Sequence, residues 1–354
     1  MTAAIQRPPR IHRLGTRTER WLRRYLRSRN YWITPLDPSE WTYLESPYDD
    51  KVPLPPGAAE ELRSDNLRLT DLRQAYAGLK LPVSAHSVWS ASTVDAWIAL
   101  SHFRGDSPYM WHYRERPHTT ALKYFVYLKF LLERDSRGLF KNLDEDGAFG
   151  CWTFSYPGHR PVSRDLLDSV NELYFLGRHT NLFERGPVSV LDIGAGYGRL
   201  AHRAAAALPS LREYCCVDAV PESTFLCEYY LRHRDRTPPA HVVPLYEVQT
   251  ALKPNQFDLA VNIHSFSECT FEAVAWWSEQ LRRLQVPELL IVPNDGTQLL
   301  TTERDRTKKD FRPLLEAAGY RLAVCEPVIA DPAVRELLRI DDHFFLFRRI
   351  AAGT

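Results

Sequence analysis

The chain has 354 residues, 25% of them charged, and its 45 Lys+Arg nearly balance 44 Asp+Glu. That length allows about two domains and a large core, and 44% hydrophobic residues with a mean hydropathy of −0.35 exclude wholesale disorder. No run approaches the ~18–20 apolar residues of a membrane span, and a net charge of +1 is no general signature of polyanion binding.

Residues 1–30 hold nine arginines against the single acid Glu19. Trp21, Leu22, Tyr25 and Leu26 sit among them at helical spacing, which predicts a solvated basic helix. An organelle transit peptide is the alternative; the missing apolar h-region excludes a secretory signal. Six prolines in residues 31–57 forbid a long helix, and the aromatics from Tyr31 to Tyr48 predict an ordered loop lying on the body. Leu69, Leu72, Tyr76 and Leu79 then step by three and four, as on one helix. Ser92 with Asp95 resembles a capping box opening a second helix through Trp97 and Ile98. A third is predicted from Thr119 to Arg134, with Gly138 beyond its end. Asp144-Glu145-Asp146-Gly147 reads as a solvated turn, although three acids could also hold a divalent cation. Ser163-Arg164-Asp165 opens a helix through Leu166, Val170, Leu173 and Tyr174. Arg164 and Asp165 are either ordinary first-turn residues or line the mouth of a site.

From Val188 onward strand and helix alternate. Strands are predicted at 188–192, 214–217, 241–245, 257–263, 288–292, 321–325 and 344–347, with helices at 199–208, 222–232, around Trp276–Leu284 and at 311–318. Such alternation predicts an α/β fold with a parallel sheet covered on both faces. Only a loop is expected between the last two strands, so one of them should run antiparallel. The six cysteines form no CxxC pair, and five lie in apolar patterns. Buried reduced thiols and a cytoplasmic setting follow.

The first strand of this series runs into Ile193-Gly194-Ala195-Gly196-Tyr197-Gly198. Glycines at the carboxyl end of a strand let the backbone approach a ligand in the crevice of a doubly wound sheet. The spacing is GxGxG, and Arg199 stands where the dinucleotide fingerprint wants its third glycine. Asp192 precedes the turn. Asp218 closes the second strand, where a carboxylate can accept both hydroxyls of a ribose.

Val190 to Gly198 resembles motif I of class I S-adenosylmethionine-dependent methyltransferases. The seven-strand count, with a final antiparallel strand, resembles that fold over residues ~164–350. A narrower likeness covers 162–169, the motif I stretch through His202, Val217-Asp218 with 221–226, Asn262 to Glu268, and 291–294. These resemble the sugar O-methyltransferase family of actinobacteria, which includes enzymes of antibiotic deoxysugars and of methylmannose polysaccharides. The resemblance implies a Rossmann-like seven-stranded methyltransferase sheet over residues 161–354. A mainly helical region, 1–160, would roof the acceptor site. It also implies S-adenosylmethionine as cofactor, a saccharide or glycosylated small molecule as acceptor, no membrane, and no nucleic acid as the main substrate. A homo-oligomer and a role for Mg2+ stay open.

Methyl transfer needs the acceptor oxygen ~3–3.5 Å from the methyl and in line with the breaking bond. A sugar hydroxyl is nearly as weak an acid as water, so a base or a metal must assist. The fourth strand ends Asn262-Ile263-His264-Ser265, with Glu268 following. His264 is the candidate general base because imidazole titrates near neutrality. Glu268 is expected to orient His264, act as base itself, or cap the next helix. For the cofactor, Gly194, Gly196 and Gly198 should pass the methionine part and Asp218 hold the ribose. Asp192 and Asn262 complete the set, Glu247 is placed on the adenine side, and Tyr197 and Arg199 are candidates for the methionine carboxylate. Asn294, with Asp295, ends the fifth strand and could touch sugar or metal. Trp111, Tyr113 and Trp152 are candidate stacking surfaces for sugar faces. The alternatives are an RNA methyltransferase, a nicotinamide-dependent oxidoreductase and a binding module without catalysis. The absence of an Asn/Asp-Pro-Pro-aromatic turn and of any Pro-Cys dipeptide argues against methylation of base amines or of cytosine C5.

Overall fold

The structure is a computed structural model that describes residues 48–107, 109–110 and 117–350, together with residues 21 and 24. Most of the basic first thirty residues, the proline-rich stretch before Tyr48, and Trp111 and Tyr113 lie outside the described residues.

Seven strands form one sheet: β1 (Val188–Ile193), β2 (Leu211–Val217), β3 (Ala240–Val242), β4 (Leu259–Ile263), β5 (Glu288–Val292), β6 (Tyr320–Pro327) and β7 (His343–Arg349). Their order is 3-2-1-4-5-7-6. Neighbours from β3 through β5 run parallel, and β7 is antiparallel to both β5 and β6. This is the Rossmann-like sheet of the class I methyltransferases, with helices N-terminal to it. All six residues of β1 are buried, as expected for a strand covered on both faces. The chain steps from β1 outward through β2 and β3, then returns to β4 on the other side. That reversal opens a crevice at the carboxyl ends of β1 and β4.

The helices that matter here are α1 (Leu67–Ala77), α2 (Ala91–Trp97), α3 (Pro117–Leu132), α4 (Arg164–Thr180), α5 (Arg199–Ala207), α6 (Pro221–His233), α7 (Phe271–Leu284), α8 (Arg312–Ala317) and α9 (Pro332–Leu338). Two differ from expectation. Ser90, not Ser92, caps α2, its Oγ accepting from the Thr93 amide at 3.3 Å. α9 lies between β6 and β7, where only a loop was expected. Asp331 caps it, accepting from the Ala333 and Val334 amides, and Pro332 occupies its first turn. Its buried Val334, Leu337 and Leu338 explain why it forms.

Alternate residues of β1 feed two apolar clusters, one on each face of the sheet. Val188 and Val190 pack with Tyr127 and Leu131 of α3 and Leu166 and Val170 of α4. Leu191 and Ile193 pack with Leu69 and Leu72 of α1 and Val274 and Leu281 of α7. Each such fully buried aliphatic side chain contributes roughly 1.5–3 kcal/mol. The N-terminal segment therefore supplies core to both faces.

A buried four-charge network ties this segment to the sheet. Arg104 donates to Glu145 at 2.8 Å and to Asp165 at 3.1 Å, and Arg203 of α5 donates to the same two carboxylates at 2.7 and 3.0 Å. All four side chains are 0–2% exposed. Burial alone would push both acids up, but the guanidiniums outweigh it and hold both below the usual carboxylate range. This corrects the reading of 144–147 as a solvated turn. Glu145 is an internal anion, Asp146 pairs with Arg234, and Asp144 pairs with Arg160. Among the described residues no three His, Cys, Asp or Glu side chains gather so as to hold a metal ion, and no helix is long and apolar enough to cross a membrane. The cysteines are free thiols, four of them buried, with Cys269 half-buried and Cys325 exposed.

Candidate functional site

A cavity of about 430 Å³ opens at the carboxyl ends of β1 and β4. The β1–α5 turn forms its floor with Gly194 and Gly196. Asp218 stands at one side and His264 and Glu268 at the other. His86, Trp89, Tyr109 and Met110, from the segment before α3, cover it.

The turn needs its glycines. Gly194, Gly196 and Gly198 have φ of 78°, 56° and 84°, a region that L-residues with a Cβ rarely adopt. A Cβ on Gly194 would stand 2.3 Å from that of Ser265, and one on Gly198 2.8 Å from Cys227 Sγ. Gly196 lies under the Tyr109 ring, 3.1 Å from where its Cβ would be. Gly194→Ala should therefore lower stability by about 1–3 kcal/mol, read as a lowered Tm. Gly186→Ala, which would meet open space, is the control. Gly198 does not line the cavity; it opens α5.

Asp218 is buried at the end of β2. Its Oδ2 accepts from the Gly196 amide at 2.9 Å and its Oδ1 from the Val220 amide at 2.8 Å. Burial raises it to about 6 against those donors. Asp192 accepts from the Tyr214 hydroxyl at 2.9 Å, and burial pushes it up to about 7. The residues fit an adenosyl cofactor: the main chain of Gly194, Ala195 and Gly196 lines the cavity, and the carboxylate beside it meets amides rather than a cation.

At the end of β4, His264 adopts φ 66° and donates its amide to Val292 O at 2.7 Å. Among the described residues its Nδ1 is buried without a hydrogen-bond partner, and burial lowers its pKa. Glu268 closes the following short turn. Its Oε2 accepts from Trp89 Nε1 at 2.7 Å and its Oε1 from Asn294 Nδ2 at 3.1 Å. Burial raises it to about 7, although both donors pull the other way. Glu268 thus neither orients His264 nor caps α7, whose cap is Thr270. Ser87 Oγ also grips the Glu268 carbonyl at 2.9 Å.

A second lobe carries Arg164 paired with Asp168 at 3.0 Å, Arg199 paired with Glu172 at 2.8 Å, and Asp342 beside His264. Five expected site residues are placed elsewhere or used otherwise. Asp165 lies inside the Arg104–Arg203 network and does not line the cavity, because two guanidiniums and the Tyr197 hydroxyl, 2.7 Å away, enclose it. Tyr197 does line the cavity, yet its hydroxyl is turned to Asp165 and not to a ligand. Asn262 is fully buried and clamps backbone, donating to Ile193 O at 2.8 Å and accepting from the Phe266 amide at 3.0 Å. Glu247 is exposed and away from the cavity wall, since β3 ends early at Val242 and a short helical turn carries it outward. Trp152 is buried rather than presented to a sugar. Sequence reasoning missed His86, Trp89, Tyr109 and Asp342. The Trp89 and Tyr109 rings stack at 5.8 Å, and Tyr109 hydrogen-bonds Ser223 at 2.8 Å.

No protein-family model and no curated protein matches the sequence. Among solved structures, a S-adenosylmethionine-dependent methyltransferase from Aquifex aeolicus is 16% identical over 51% of this chain and 89% of its own, with a TM-score of 0.37. The mitomycin 7-O-methyltransferase MmcR is 18% identical over 52% of this chain and 56% of its own, with a TM-score of 0.36. The 4+2 cyclase SpnF is 15% identical over 66% of this chain and 96% of its own, with a TM-score of 0.38.

Proposed function

We propose that the protein is an S-adenosylmethionine-dependent O-methyltransferase whose acceptor is a hydroxyl of a saccharide or glycosylated small molecule. The observation that carries this reading is the pairing, across one cavity, of the glycine turn and Asp218 with a half-buried carboxylate, Glu268, raised to about 7. When bound, the cofactor supplies an electrophilic methyl on a sulfonium. Gly194 and Gly196 would let the main chain lie against it, and Asp218 would take the ribose hydroxyls. Asp192 and the paired Arg199 and Arg164, which line the same cavity, would serve the amino-acid end. Glu268 would accept the acceptor's hydroxyl proton on an Oε and so free that oxygen to take the methyl group the bound cofactor would supply. A base poised near neutrality suits a hydroxyl, which is inert until its proton is drawn away. Trp89 and Tyr109 exclude water from a step that annihilates charge. The saccharide class rests on the motif resemblance. Nicotinamide chemistry is disfavoured by the shifted third glycine and by Arg199 behind it.

Calorimetry with S-adenosylmethionine, then mass spectrometry of products from mono- and disaccharides with and without chelator, tests the reading. No cofactor binding would overturn it, and the chelator arm decides whether Mg2+ takes part. Asp218→Ala should weaken cofactor binding about 10- to 100-fold, the loss of hydrogen bonds to a charged group; unchanged affinity would remove Asp218 from the site.

A further inference from the structure

The two oxygens of Glu268 meet different chemistry. Oε2 accepts from Trp89 Nε1 at 2.7 Å, and Oε1 from Asn294 Nδ2 at 3.1 Å. An indole N–H is a donor and nothing else. A carboxamide donates at its nitrogen and accepts at its oxygen, so turning about its terminal bond exchanges one for the other. The pair therefore answers a protonated Glu268 unequally. A proton on Oε1 can be met by the oxygen of a turned Asn294. A proton on Oε2 meets only another donor in Trp89, and the short bond there is lost.

Trp89 is also held in place. Its ring stacks on Tyr109 at 5.8 Å, and the Tyr109 hydroxyl shares a hydrogen bond with Ser223 Oγ at 2.8 Å. Two residues before it, Ser87 Oγ donates to the carbonyl of Glu268 itself at 2.9 Å. The indole thus cannot leave Oε2 without unstacking. Asn294 differs. Its main chain is anchored, the amide donating to Ser267 Oγ at 3.2 Å, but the residue is exposed just past β5. Oε1 is therefore also the oxygen from which a proton can pass to solvent between turnovers.

We propose that Oε1 is the oxygen of Glu268 that takes the proton, with Trp89 and Asn294 as its positioning residues. Trp89 holds Oε2 as a fixed acceptor, and Asn294 turns its carboxamide as the proton arrives. The electron pair of the broken O–H bond stays on the acceptor oxygen. That hydroxyl consequently approaches from the Asn294 side of Glu268 and not from the Trp89 side. The inference rests on Glu268 as the base, but it concerns where a proton sits and can be read without turnover.

The titratable groups facing Glu268 are Asp218 across the cavity, the adjoining Cys269 thiol, and His86 and His264 of the cavity wall. Substitutions at Trp89 and Asn294 leave all four in place. The measurement is NMR of the full chain, labelled at the glutamate carboxyl carbons, over a pH titration; the Glu268 resonance is the one that E268Q removes. W89F keeps a ring against Tyr109 and loses the N–H. It should raise the Glu268 midpoint by about one to two pH units, the loss of a hydrogen bond that serves the anion alone. N294A removes a partner of both forms and should move the midpoint by less than about half a unit. In a methyl-transfer assay the rise of kcat with pH should shift with the W89F midpoint, with the plateau above it kept.

An unmoved midpoint in W89F would overturn the inference, and so would a shift in N294A as large as that in W89F. If both variants titrate as expected while E268Q still turns over, the base assignment fails and the placement of the proton stands. If E268Q is inactive and the W89F midpoint does not move, the inference fails alone.

Discussion

Glu268→Gln is expected to lower kcat about 10²- to 10⁴-fold, the range a positioned general base supplies, with little change in S-adenosylmethionine affinity. The amide keeps the size, and its oxygen can still accept from Trp89 while its NH2 donates to a flipped Asn294 carboxamide, but it cannot take a proton. The wild-type pH profile gives the second half of the test. Burial raises Glu268 to about 7, and only the ionised form is a base. The rate should therefore climb about tenfold per pH unit below that value and level off above it. His264→Ala is the informative companion. If E268Q retains turnover and H264A loses it, the proton goes to imidazole and the assignment is reversed. The structure favours Glu268 because two donors fix its oxygens, whereas among the described residues His264 Nδ1 meets nothing.

Arg203→Met should destabilise the fold by about 3–5 kcal/mol, because it leaves Glu145 and Asp165 with one guanidinium between them in a dry interior. Urea unfolding followed by tryptophan fluorescence measures it. The double variant R203M/E145Q should recover part of that loss, since it removes one of the two charges left short of a partner while the amide oxygen can still accept from the Ser163 hydroxyl. A loss below about 1 kcal/mol would mean that the network is solvated. The sign with pH is fixed by the depressed carboxylates. Their contribution is complete above the unfolded value of about 4 and disappears as pH falls through their lowered folded values.

The sheet was legible because its signals are local. Apolar runs such as 188–193 and 288–292, each ended by glycine or proline, mark strands without any knowledge of their neighbours. The glycine turn and Asp218 are likewise legible, being a contiguous motif followed by the end of the next strand. α9 escaped because it is short, although Asp331-Pro332 is a readable cap and first turn. What could not be read was distance. Glu145 looks like a turn acid until Arg104 and Arg203, 41 and 58 residues away along the chain, close on it. Trp89 and Glu268 are 179 residues apart, and nothing in either neighbourhood announces the 2.7 Å bond between them. Asn262 shows the opposite failure: its position at a strand end looked chemical, but its carboxamide is consumed by backbone.

α1 and α3 lie upstream of β1 yet fill opposite faces of its sheet, and Trp89 reaches from the same upstream stretch to the candidate base. Lid and floor thus cannot be traded like cassettes. A chimera joined near residue 160 would mismatch two cores and a quartet of charges at once. New acceptor preferences should therefore arise in this lineage by drift of single wall residues, with recombination of halves giving insoluble chains.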